Sequence, residues 1–166
     1  MKRIIIQASA RAKGNTNTVI EALNKELKFD TIDLLDYQIG HYDYEHRNQD
    51  DDFLPLIRRL LSYDLIVFAT PVYWYSMSSR MKTFLDRITD CLKIEKDLGR
   101  QLRGKSMASL SCGSEPDAIP GFFYPFRESA DYLGMHYLGD VHTWMESPEV
   151  STEVLALVLA FANKLK

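Results

Sequence analysis

Asp64-Leu65-Ile66-Val67-Phe68-Ala69-Thr70 runs directly into Pro71-Val72-Tyr73-Trp74-Tyr75, and Ser78-Ser79-Arg80-Met81-Lys82 follows after two further residues. The first seven residues are rich in β-formers and lack polar alternation. That pattern reads as a strand buried on both faces, hence a central strand of a parallel sheet. Pro71 ends it, three aromatic rings follow, and a helix starts near Ser78. In open α/β sheets, ligands bind just outside the carboxyl ends of such strands. Tyr73, Trp74 and Tyr75 there suit a flat, conjugated guest. They equally suit padding of the strand end against a neighbouring helix, and these residues alone leave both readings open.

Outward from this stretch, apolar runs alternate with helical patterns. The first strand spans about Lys2 to Gln7, and a small, polar, basic loop covers Ala8 to Gly14. A helix follows over about Thr16 to Leu27, with Thr18 and Glu21 in capping-box spacing. Phe29 to Asp33 reads as a short strand. A polar loop to Asp50 precedes a helix opened by Asp51 or Asp52, with Phe53, Leu56, Ile57, Leu60 and Leu61 on its core stripe. Met81, Phe84, Leu85, Ile88 and Leu92 mark the next helix. Lys105 to Ser111 reads as a strand, and a long loop over Cys112 to Pro120 leads to a helix near Phe123 to Leu133 that Gly134 can end in αL geometry. Tyr137 to Thr143 is the last strand, and Ser147-Pro148 is expected to cap a final helix. Five β/α units predict an α/β fold, a flavodoxin-like doubly wound parallel sheet in the order 2-1-3-4-5 with helices on both faces.

With 166 residues, 46% apolar and 26% charged, the chain is expected to form a single domain over residues 1–166. A net charge of −3 argues against nucleic-acid or anionic-membrane partners. No apolar run reaches the ~18 residues that span a bilayer. Cys91 and Cys112 lack metal-ligand or disulfide spacing and fit a reducing cytoplasm.

In this topology the loops after strands one, three and four converge on one edge. The first reads Ser9-Ala10-Arg11-Ala12-Lys13-Gly14-Asn15-Thr16-Asn17-Thr18. Its hydroxyls, its guanidinium and the helix start behind it favour a phosphate, since capping alone needs one such residue rather than a cluster. It lacks G-x-G-x-x-G. A formal Walker match at Gly99-Arg100-Gln101-Leu102-Arg103-Gly104-Lys105-Ser106 precedes a strand instead of following one, so it reads as coincidence. Ser111-Cys112-Gly113-Ser114 could set amides and a hydroxyl against a polar ring edge, or be a plain turn.

The chain resembles the NADPH-dependent FMN reductase family. The resemblance rests on Ser9-x-Arg11-x-x-Gly14-Asn15-Thr16, on Ala69-Thr70-Pro71-Val72-Tyr73-Trp74, and on Met81-Lys82-x-Phe84-x-Asp86-Arg87. It implies that Ser9, Arg11, Asn15, Thr16 and Asn17 hold an FMN phosphate. It further implies that Pro71, Val72, Tyr73 and Trp74 border the isoalloxazine, with Ser111, Cys112 and Gly113 closing its other edge. The implied activity is electron transfer from NAD(P)H through bound FMN to a small acceptor such as a quinone or a flavin, in a cytoplasmic homodimer or higher homo-oligomer. The alternative is a flavodoxin-type carrier without nicotinamide turnover. Some relatives carry a cysteine cluster after strand two; here Gly40 to Asn48 contains no cysteine, and its histidines and acids match no metal motif. No side chain is expected to act as a catalytic acid or base, and Tyr37, Tyr42, Tyr44 and Trp74 are expected on the surface.

Overall fold

The computed structural model describes residues 1–166. Strands β1 (Arg3–Gln7), β2 (Asp30–Asp33), β3 (Leu65–Pro71), β4 (Ser106–Gly113) and β5 (His136–Trp144) pair in parallel in the order 2-1-3-4-5. The helices are α1 (Asn15–Glu26), α2 (Phe53–Leu60), α3 (Ser79–Lys93), α4 (Lys96–Leu102), α5 (Tyr124–Leu133) and α6 (Thr152–Lys164). All seven residues of β3 are buried, as the unalternated apolar run requires. One core lies between the sheet and α2, α3 and α5, built on residues such as Phe53, Ile57, Phe68, Phe84 and Phe126. The other lies against α1 and α6, around Val19, Leu23, Val67, Val158 and Phe161. No helix is long and apolar enough to cross a membrane.

Gly134 ends α5 at φ 69°, where its lack of a Cβ removes the left-handed penalty. Two expected caps lie elsewhere. Helix α6 starts at Thr152, and Ser151 Oγ accepts from the Val154 amide at 3.2 Å. Ser147 sits too far upstream to reach a free helical amide and bonds the Glu149 carbonyl instead. Helix α1 opens at Gly14, a turn before Thr18, so Thr18 and Glu21 are interior residues; Glu21 accepts from Asn17 Nδ2 at 2.8 Å. The Walker-like residues Gly99 to Leu102 fall within α4, where a Cβ on Gly99 would lie 2.3 Å from the Cys91 carbonyl. That glycine serves close packing of α4 on α3.

The connection from β2 to α2 is held by Arg87 of α3, which is 1% exposed. Its guanidinium pairs with Asp51 and donates to Asp90 Oδ2 at 2.7 Å, Gly40 O at 3.0 Å and Asn48 O at 2.6 Å. Phe53 lies under the charge, 4.8 Å from ring centre to Cζ. His46 Nδ1 bonds Asp90 Oδ1 at 2.7 Å, and His41 Nδ1 bonds Thr83 Oγ1 at 3.2 Å. Burial works against the Asp51 charge, but Arg87 and the amides of Phe53 and Gly40 outweigh it and hold the carboxyl below its usual range.

Replacing Arg87 by Met strands two acids in the interior, and urea unfolding at neutral pH is expected to show a loss of about 3–5 kcal/mol. The ionised Asp51 stabilises the fold fully above the unfolded carboxyl pKa of about 3.9, and that contribution is lost as pH falls through the lower folded value. In the Met variant this acid-side decline is expected to shrink.

Candidate active site

The carboxyl ends of β1, β3 and β4 stand side by side, and strand spacing of about 4.8 Å sets the outer two roughly 10 Å apart. Above β1, Gly14 is the buried N-cap of α1 and no side chain caps the helix. The first helical bond runs from the Thr18 amide to Gly14 O at 3.1 Å, which leaves the amides of Asn15, Thr16 and Asn17 unpaired. Ser9 and Thr16 are buried beside them, while Arg11 and Lys13 are exposed. The loop rests on Gln7, whose Nε2 donates to Ala12 O at 2.9 Å and Asp33 Oδ2 at 2.8 Å. Gln7 Oε1 is buried without a partner.

Ser78 ties the strand ends together. Its Oγ donates to Ala8 O at 2.5 Å and accepts from the Met81 amide at 3.2 Å, and its own amide donates to Thr70 Oγ1 at 3.0 Å. Between Thr70 and Ser78 the chain makes a two-residue hairpin. Tyr73 and Ser76 exchange backbone hydrogen bonds at 2.9 and 3.0 Å, and Trp74 and Tyr75 occupy its tip at φ 47° and 64°. Such turns favour Asn-Gly, because two positive φ values strain ordinary residues. Here the strained tip presents two aromatic rings, with Trp74 92% exposed. Of the four aromatic residues expected on the surface, Tyr44 and Trp74 are exposed; Tyr37 packs on the core and Tyr42 is half-buried.

An open cleft of about 860 Å³ lies between this hairpin and the segment after β4. Val72, Tyr73, Trp74 and Tyr75 line it from the hairpin; Gly113, Ser114, Glu115, Asp117 and Ile119 line it from the segment after β4, and His142 of β5 joins them. Of the residues the sequence singled out, Val72, Tyr73, Trp74 and Gly113 meet here. Pro71 and Cys112 pair beneath it, and the Val72 amide donates to Cys112 O at 2.9 Å. The Cys112 side chain points into the α1/α6 core, where burial pushes the thiol up to about 11. Ser111 is fully buried, and its Oγ lies 2.8 Å from His142 Nδ1.

His142 Nε2 lies 2.9 Å from the Glu115 carbonyl. A carbonyl only accepts, so Nε2 carries the hydrogen, and Nδ1 is left to the Ser111 hydroxyl. This contact depends on a bulge. Met107 pairs with Tyr137 but Ser109 pairs with Asp140, so one extra residue enters β5 beside Gly139, at φ 121°. The shift sets His142, rather than Val141, opposite Ser111. Sequence reasoning missed Gln7, Glu115, Asp117 and His142. A lone polar residue ending an apolar strand, and a glycine inside a strand, were the available signals.

The sequence profile of the family described as NADPH-dependent FMN reductase matches residues 1–148. The chain belongs to this family. YwqN of Bacillus subtilis (strain 168), an inferred NAD(P)H-dependent FMN-containing oxidoreductase, is 28% identical over 85% of this chain and 83% of its own. Among solved structures, the Trp repressor binding protein of Bacillus subtilis superposes with a TM-score of 0.77 at 23% identity, over 99% of this chain and 98% of that one. General stress protein 14 of Treponema denticola, solved in complex with FMN, gives 0.63 at 18% identity over 99% and 96%. These likenesses establish the flavodoxin-like fold of this family member.

The hairpin tip yields a stability prediction. Replacing Trp74 by Asn and Tyr75 by Gly relieves two left-handed penalties and is expected to stabilise the fold by about 1–2 kcal/mol. Calorimetry is expected to record a rise in Tm of about 2–4 °C per kcal/mol.

Proposed function

We propose that this family member is an FMN-dependent NAD(P)H oxidoreductase that passes electrons to a small acceptor such as a quinone or a free flavin. The observation that carries the reading is adjacency: an uncapped helix start above β1 and an aromatic cleft above β3 and β4 share one sheet edge. The residues present fit FMN. Unpaired amides of Asn15, Thr16 and Asn17, the hydroxyls of Ser9 and Thr16, and the Arg11 guanidinium suit a phosphate dianion. The cleft falls within the volume range of cofactor sites. A Cβ on Gly113 would come within 3.2 Å of the His142 ring, so bare backbone there leaves the cleft its width.

When bound, the flavin supplies the hydride and electron chemistry. The chain's part is placement. Gln7 and Ser78 fix the loops after β1 and β3 relative to each other, and Pro71, Ser111 and Cys112 level the two walls through strand pairing. Val72, Tyr73 and Trp74 would border a bound ring and shield it from water. Both nitrogens of His142 are engaged within the protein, and no catalytic residue is assigned. The exposed hairpin rings also support self-association, and light scattering at micromolar protein is expected to give the mass of two or more chains.

FMN is expected to bind and to lose its visible absorbance on anaerobic addition of NADPH or NADH. A bound flavin that neither nicotinamide reduces would indicate the carrier instead. Arg11→Ala is expected to weaken FMN binding about tenfold, equivalent to about 1.4 kcal/mol, without changing the far-UV spectrum.

A further inference from the structure

Charge is distributed unevenly along the candidate site. Arg11 and Lys13 stand at the α1 end, whereas the cleft carries Glu115 and Asp117 and no lysine or arginine among its lining residues. The same cleft is lined by the rings of Tyr73, Trp74 and Tyr75, whose π faces attract cations. The acids are not on a free loop. The carbonyl of Glu115 is bonded by His142 Nε2, His142 is bonded by the fully buried Ser111, and Pro116 fixes the backbone between the acids.

We propose that this cleft sorts planar aromatic electron acceptors by charge, taking cations first, uncharged rings next and anions last. The proposal rests on the oxidoreductase reading of the same site and assigns its acceptor class. Glu115 and Asp117 are the specificity-determining residues, and His142 is the positioning residue that keeps Glu115 in the wall. A cationic acceptor takes a hydride equivalent from NAD(P)H, giving an uncharged reduced product and NAD(P)+ with no net proton uptake. An uncharged quinone takes the same hydride equivalent plus one proton from solvent to give the quinol. In the first case reduction removes the charge that drew the acceptor in, so the wall releases product more readily than it holds substrate.

The test compares the FMN-loaded protein with its Glu115→Gln/Asp117→Asn variant. Initial rates with methylene blue (cationic), menadione (uncharged) and 1,2-naphthoquinone-4-sulfonate (anionic) give kcat/KM for each. Equilibrium dialysis of 1-methylquinolinium against 2-naphthoate reads binding without turnover. The wild-type protein is expected to favour the cation over the anion in both assays. The double variant is expected to reduce that ratio about tenfold, a change of about 1.4 kcal/mol. His142→Gln, which keeps one side-chain donor and one acceptor, is expected to retain more of the ratio than His142→Ala. A flavin-loaded protein whose ratio is unchanged by the double variant overturns the charge proposal alone. A protein that takes up no FMN overturns the reading beneath it as well.

Discussion

A strand buried on both faces must satisfy its backbone entirely through neighbouring strands, and β3 imposes this condition on the molecule. Leu65–Pro71 pairs with β1 on one side and with β4 on the other. The loops that leave these three strands at their carboxyl ends are thereby forced into a row. The two cores follow from the same strand, since Phe68 serves the α2/α3/α5 layer and Val67 the α1/α6 layer. The candidate site is assembled over long range: its parts come from residues 7 to 142 and meet because a central strand has two edges to fill.

The rigidity of the site comes from short polar ties rather than from the loops themselves. Ser78 joins the ends of β1 and β3 to the start of α3, Gln7 holds the loop before α1, and His142 joins β4 to the segment beyond it. Against this frame stands the strained Trp74–Tyr75 tip. A sequence selected for stability alone would place Asn-Gly there. Two large rings at positive φ mark a position where presentation of aromatic surface outweighs backbone preference.

The sheet order and both layers were legible because apolar runs and helical stripes are long in this chain. The Asp64–Thr70 run, the Met81–Leu92 stripe and the Gly134 stop each correspond to an element within a residue or two. Caps were less legible. Ser147-Pro148 and Thr18/Glu21 carry suitable residue types, but where a helix begins depends on tertiary packing that periodicity does not encode. The polar part of the cleft was hidden for a different reason. Ser111 and His142 lie 31 positions apart, and their meeting depends on strand register, to which the period of two is blind once a bulge intervenes. Glu115 and Asp117 have the sequence signature of ordinary loop acids, and only the fold places them in one cleft with three rings.

The irregularity beside Gly139 makes the chemistry of that wall separable from the integrity of the sheet. Were the register set by Met107 and Tyr137 to run on without the bulge, Val141 would stand in place of the imidazole opposite Ser111. The serine hydroxyl would then lose its partner and the acidic segment its anchor, while the neighbouring strands kept their pairing. A one-residue shift of strand register, rather than any substitution within the cleft, is thus a route by which chains of this architecture can exchange a polar flank for an oily one.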